Sequence, residues 1–403
     1  MEWGRRSGVC LLNRSILTRS SCGSASQVKL STKSFGRDAA QVAAAAFSAV
    51  KATLREVDLS DVLAGRPEAE ALEALGIMCS ALSADNGVTL DALDLSDNAL
   101  GEKGVRAAAP ALKGQPHLKS LALQTDGISA HAAAALGEVL ASRESLASLR
   151  LYNNMTGDEG ALHVAALLSK CPNLCELRLV SSRVQTQGGT ALAAALGGLG
   201  GKALAKLDLC DNGLGPECGA PLAAVVATHP GLTVLLLNEC GLCDEGVAPL
   251  AAALKGHPGL TRLELCCNEI TPEGAASLAA VLPTLARLTA LRLAENELGD
   301  EGAAVLAKAL HAAPGLPDLG ELDFGSNELH GTGARPLGAA AASRKCAKLG
   351  LDGNEIGAGS VAAVAKLLAA CGGELGPMDD NDPDADDGDE GDDVDLDFSK
   401  ATL

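Results

Sequence analysis

Aromatic side chains are almost missing from this chain: one Trp, one Tyr and four Phe stand among 403 residues. A sandwich or barrel core filled by rings is therefore not expected, and the 47% of apolar residues must bury as Leu, Ala and Val in thin layers. Basic charge is scarce as well. Thirty-two Lys and Arg face fifty-one Asp and Glu, a formal net charge of −19. No cationic footprint for a phosphate backbone exists, which argues against nucleic acid as a partner; a basic protein suits this surface better. Long apolar runs are also lacking. The Ala-Leu stretches are broken by Gly and charge before they reach the ~18 residues of a membrane span, so no membrane insertion is expected.

Catalytic motifs are absent too. There is no P-loop, no GxSxG and no HExxH. The histidines (His117, His131, His163, His229, His257, His311 and His330) lie singly, never beside Cys or carboxylate clusters. The expectation is a protein with no active site of its own, no cofactor and no metal. Thirteen cysteines, an odd number scattered without a preceding secretory segment, read as reduced cytosolic thiols. Cys240-Gly-Leu-Cys243 is a lone CxxC with no second pair, better explained by small packed thiols than by zinc.

What the chain does contain is a repeat. The pattern LxxLxLxxNxL begins at Leu54, Leu90, Leu118, Leu146, Leu174, Leu204, Leu232, Leu260, Leu288, Leu319 and Cys346; six of the ten spacings are 28 residues and the others 36, 30, 31 and 27. Eleven registered copies imply an α/β leucine-rich-repeat solenoid, a ribonuclease-inhibitor-like horseshoe with a parallel concave sheet and outer helices. Within each copy the alternating leucines, such as Leu93 and Leu95, point into the core from a short strand. The asparagines Asn98, Asn154, Asn212, Asn268, Asn296, Asn327 and Asn354 turn inward to satisfy backbone groups of neighbouring turns. A Gly-containing turn then leads to an Ala-rich helix, as in GDEG at 157–160.

Three regions are expected. Residues 1–33 are acid-poor and rich in Arg and Ser from Trp3 on, a disordered or targeting-like N-terminus. Residues 34–375 form the repeat domain, opened by a capping helix from Asp38. Residues 376–403 read as a disordered acidic tail, with twelve Asp or Glu and no Lys or Arg between 379 and 397.

Period and composition stop at a protein-binding horseshoe. The non-consensus words go further. SFGRDAAQVA, LREVDLSDVLAGRPEAEALEAL, LDLSDNALGEKGVRA, LYNNMTGDEGA and LGPMDDNDPDAD follow one another from about Ser34 to Asp386, and together they resemble the Ran GTPase-activating proteins, most closely those of plants and green algae. The chain departs from the plant pattern in showing no Trp-Pro-Pro motif, and from the animal pattern in ending at the tail, so the resemblance leaves anchoring at the nuclear envelope open. The resemblance implies a monomeric activator of a Ran-type small GTPase in its GTP form, acting with a Ran-binding protein in nucleocytoplasmic transport. It implies a cytoplasmic or perinuclear location, organelle targeting by the N-terminus being the alternative. The activator would be no enzyme itself. It would dock on the switch regions and orient the GTPase's own glutamine, whereas other activators insert an arginine worth roughly 10³–10⁵ in rate.

The resemblance places the helper asparagine of the fourth repeat's strand end at Asn154. Asn153 beside it lies outside the repeat consensus, and Tyr152, the single tyrosine, should project from the strand face as an anchor. Asp97, Lys103, Asp158, Glu159 and Glu239 lie on strand ends or the following loops, where acids would meet a basic GTPase. Arg66 reads as a loop residue, while Arg150, Arg178 and Arg292 occupy outward strand positions. The rival readings are a non-catalytic leucine-rich-repeat scaffold, a ribonuclease-inhibitor-like protein, for which the aromatic surface is too small, and a fragment of an innate immune receptor.

Overall fold

The computed structural model describes residues 26–140, 144–200, 204–312, 316–382 and 384–385. Contacts divide the chain into two compact units, one of residues 1–184 with 198–203, the other of residues 185–197 with 204–403. Each has the leucine-rich-repeat fold. In the first unit the strands are β1 (Gln27–Lys29), β2 (Glu56–Asp58), β3 (Ala92–Asp94), β4 (Ser120–Ala122), β5 (Ser148–Arg150) and β6 (Glu176–Arg178). Each pairs in parallel with the next in sequence. The second unit repeats this with β7 (Lys206–Asp208), β8 (Val234–Leu236), β9 (Arg262–Glu264), β10 (Ala290–Arg292), β11 (Glu321–Asp323), β12 (Lys348–Gly350) and β13 (Glu374–Leu375).

The 28-residue period becomes register. Leu93, Leu121, Leu149 and Leu177 stand opposite one another in β3 to β6 and are at most 1% exposed. Leu207, Leu235, Leu263, Leu291, Leu322 and Leu349 do the same in the second unit. Parallel strands need a crossover, and here a helix supplies it. The GDEG word shows how that helix starts. Gly157 takes a φ of +58°, a left-handed turn that favours glycine, and Asp158 and Glu159 lie in the first helical turn, where acids suit the helix dipole. Gly160 then packs where a Cβ would sit 3.2 Å from the Ala130 Cα of the previous helix. No helix among the described residues is long and apolar enough to cross a membrane.

Two boundaries move. The repeat stack does not begin at residue 34, because β1 pairs with β2 and buries Val28 and Leu30. The helix Arg37–Val50, which buries Ala40, Ala43 and Phe47, is thus the helix of this earlier turn rather than a separate cap. The pattern missed that turn because Ala25 and Lys33 stand where the consensus has its first Leu and its Asn. The fold also runs past residue 375: Gly376 N–H donates to the Leu349 carbonyl at 2.7 Å. The Asn381 amide bonds Ile356 at both its N–H (3.1 Å) and its carbonyl (2.6 Å). Acidity masked a last ladder residue. The targeting-like reading of residues 1–25 and the tail reading of residues 386–403 lie outside the described residues.

Candidate functional site

Each strand ends in a tight bend whose geometry repeats. In the first unit the residue just before the ladder position has positive φ in every turn: Asp61 at 51°, Asp97 at 61°, Thr125 at 54°, Asn153 at 52° and Ser181 at 49°. Such backbone favours Asn and Asp, which tolerate the left-handed region, and it is unusual for a β-branched Thr. Asp97 and Asn153 are exposed. The Asn153 side chain reaches back one turn, Nδ2 to Thr125 Oγ1 at 3.5 Å. Thr125 and Asn153 are therefore linked, and Asp97 holds the same place one turn before them.

The ladder residues behind this row hold it. Asn154 is 4% exposed, and its carboxamide is fully engaged. Oδ1 accepts from Asp126 N–H at 3.1 Å and Ile128 N–H at 2.9 Å, while Nδ2 donates to the carbonyls of Leu123 at 2.8 Å and Tyr152 at 3.3 Å. Asn154 is thus a buried amide whose bonds are made inside the chain. The groups it presents are its neighbours. Tyr152 is 36% exposed and Met155 52%, flanking Asn153 with apolar surface. The Arg178 guanidinium lies 5.1 Å from the centre of the Tyr152 ring, a cation–π contact that fixes the ring. Met155 was missed in the sequence because it follows the ladder Asn, a position the consensus gives no role.

Asp97 and Lys103 come together elsewhere on the same unit. Both line an open hollow of about 610 Å³, with Arg66, Glu68 and Leu72 on its walls. Lys103 Nζ pairs with Glu68 Oε1 at 2.5 Å, and the hydrogen bond to Glu68 followed by its charge raises the lysine pKa. Asp158 and Glu159 begin the helix after Asn154. Glu239, exposed with a φ of +54°, holds the corresponding bend of the second unit.

The arginines at outward strand positions are held by their own chain. Arg150 pairs with Glu176 at 3.0 Å, Arg178 stacks on Tyr152, and Arg292 bonds Glu321. Arg66 donates Nε to Ser34 Oγ at 2.9 Å and Nη1 to Glu70 at 3.4 Å. Arg183, in the bend after β6, is instead exposed at a φ of +58°. It is the described arginine of the first unit for which the structure shows no partner, and neither consensus nor strand pattern singled it out.

No group of His, Cys, Asp and Glu among the described residues is arranged to hold a metal. Cys240 fills a ladder place, where burial pushes its thiol well above the ordinary value, and Cys243 begins the helix Cys243–Leu254.

A family profile described as Leucine Rich repeat matches residues 88–107, 258–279 and 287–307. The chain is 52% identical over 95 residues to RAN GTPase-activating protein 1 of Arabidopsis thaliana, and 50% identical over 95 residues to RAN GTPase-activating protein 2 of the same plant. Each match covers 24% of this chain and 17% of the relative, so the chain spans about a sixth of the length of these relatives. Among solved structures it is similar to the yeast Rad7–Elc1 complex, with 16% identity, coverage of 79% of this chain and 83% of that one, and a TM-score of 0.48. An internalin of Listeria monocytogenes gives 16%, 78%, 88% and 0.45. Neither likeness is close enough to carry an argument.

Proposed function

We propose that this chain activates a Ran-type small GTPase, binding its GTP form and accelerating hydrolysis without contributing an active site of its own. The observation that carries the reading is the 95-residue stretch that is half identical to two Ran activators. One bend of the first unit supports a docking place for the partner. Tyr152, Asn153 and Met155 offer an exposed aromatic, an amide and an apolar surface on one bend, beside the acids Asp158 and Glu159. Asn153 takes the contact role in this proposal, and Asn154 acts through it by holding the bend.

Catalysis would come from placement. A surface docked on the switch regions holds the GTPase's own glutamine so that it orients the attacking water. An arginine finger is not needed, and the internal pairing of Arg66, Arg150, Arg178 and Arg292 favours that view. Asp97 and the outward acids would speed encounter with a basic partner. The protein would work as a monomer in the cytoplasm, together with a Ran-binding protein, in nucleocytoplasmic transport.

Single-turnover GTP hydrolysis by Ran, with and without the chain, tests this. Strong acceleration at micromolar concentration or below is expected. Its absence would leave a non-catalytic leucine-rich-repeat scaffold as the better reading. Arg183→Ala is expected to keep most of the acceleration; a loss approaching the roughly 10³-fold scale of an arginine finger would mean that the mechanism uses one after all.

A further inference from the structure

The ladder of the first unit contains a carboxyl where other turns have an amide. Asp126 lies 28 residues after Asn98 and 28 before Asn154, in the same place in its turn, and is 0% exposed. One oxygen behaves like that of an asparagine: Oδ1 accepts from Asn98 N–H at 2.9 Å, with the Leu100 N–H also directed at the carboxyl. The other oxygen is the anomaly. Asn98 and Asn154 use the second position of the side chain to donate, Asn98 to the carbonyls of Leu59 (2.8 Å) and Leu95 (2.7 Å), Asn154 to that of Leu123 (2.8 Å). By the same offsets Asp126 Oδ2 would meet the carbonyls of Leu95 and Leu123, which are acceptors. No hydrogen-bond partner for Oδ2 is present among the described residues. A carboxylate oxygen against carbonyl oxygens is repelled, whereas a carboxylic acid O–H would donate to them.

Among the described residues, the charges that bear most on Asp126 are not basic ones. The charged groups that bear on Asp126 are Asp97 and Asp94 of the preceding turn, both acidic. The following turn presents the neutral amides of Asn153 and Asn154. Asp126 also ties three turns together: its N–H donates to Asn154 Oδ1 at 3.1 Å, and its carbonyl accepts from Gly101 N–H at 2.8 Å. The residues immediately before these three ladder positions are Asp97, Thr125 and Asn153, the exposed row of the candidate site.

We infer that Asp126 sits in the ladder as a neutral carboxylic acid whose Oδ2 hydroxyl takes the place of the amide NH₂ of the other turns, so that one proton holds the row Asp97–Thr125–Asn153 in position. It is a positioning residue, acting through the backbone it binds. Burial above all, then the neighbouring acids, raises its pKa to about 8 from an ordinary 3.8. The sign follows directly. Between those values the folded chain holds a proton that the unfolded chain releases, so the contribution to stability is complete below about pH 4. It declines as pH rises to about 8 and is level beyond.

The test compares the full chain with Asp126→Asn, which restores the consensus donor, by melting curves across about pH 5 to about pH 9. The variant's advantage in Tm is expected to widen up to about pH 8 and then to hold constant. A difference that does not change with pH would overturn the inference. Amide exchange supplies a local reading: the protection of the N–H groups of Asn98, Thr125 and Asn154, corrected for the intrinsic base catalysis of exchange, should fall roughly tenfold at the alkaline end in the natural chain but not in Asp126→Asn. Equal rates in the two proteins would refute the positioning role. The consequence for activity rests on the activator reading. Stimulation of Ran should fall above about pH 8 in the natural chain and persist in the variant, and parallel pH profiles would refute control of the site. Absence of stimulation at every pH in both proteins would sink the activator reading instead, and melting and exchange would still decide the ladder acid.

Discussion

At the scale of single residues, Asn153 and Asn154 are neighbours with opposite duties, and stability measurements separate them. Asn154→Ala removes a buried amide and leaves the N–H groups of Asp126 and Ile128 and the Leu123 carbonyl without their side-chain partner. Stranded buried groups are costly, so a loss of roughly 2–4 kcal/mol is expected by urea unfolding. A change within error would show that the ladder is not what Asn154 sustains. Asn153→Ala strands nothing, and its cost is the left-handed backbone at a φ of +52°, about 1 kcal/mol. Asn153→Gly should restore that stability without restoring activity. Tyr152→Ala, at an exposed ring, is expected to leave unfolding nearly unchanged while lowering kcat/KM on Ran about tenfold or more. If Asn153→Ala and Tyr152→Ala both activate at the natural rate, the contact surface lies elsewhere.

Between elements, the repeats pack by small residues, and one contact has no slack. Gly219 opens the helix Gly219–Thr228 against Gly246 of the helix Cys243–Leu254. A Cβ there would lie 2.3 Å from the Gly246 carbonyl oxygen and 2.4 Å from its Cα, both backbone atoms. The φ of Gly219 is −56°, so any residue suits its backbone and the restriction is purely steric. Gly219→Ala must therefore push two helices apart, at about 1–3 kcal/mol or more. Urea unfolding checks this, and an unchanged midpoint would mean that the helices are not in contact there. Gly157 has the reverse logic: open space surrounds its Cβ position, but its φ of +58° penalises a side chain.

For the molecule as a whole, the limits of the folded stack follow hydrogen bonds rather than composition. Asn381 closes the last turn through Ile356, and Asp380 N–H donates to Asp352 Oδ1 at 2.9 Å. A chain ending after Ala385 keeps these bonds, and its Tm is expected to match that of the full chain. A chain ending after Leu375 loses them and should melt several degrees lower. Equal melting of the two truncations would place the end of the stack at residue 375. The twelve acids between 379 and 397 therefore straddle a boundary, the first of them within the last turn.

The sequence by itself determined the repeat, its period and the inward leucines and asparagines, because a strand alternates every two residues and each turn must satisfy the same backbone groups. It also singled out Tyr152 and Asn153, which the consensus does not dictate, beside the inward ladder residue Asn154. What it left open was the bend that exposes Asn153. That depends on a backbone with positive φ at Asn153, a property of the folded turn that spacing does not encode. Only the tertiary structure paired Lys103 with Glu68, set Arg178 on Tyr152 and bonded Asn98 to Asp126, since these partners lie 26 to 35 residues apart in the chain. The first turn and the last were likewise decided by three-dimensional pairing. There the strands pair although residues such as Lys33 depart from the consensus, so a sequence pattern does not register them.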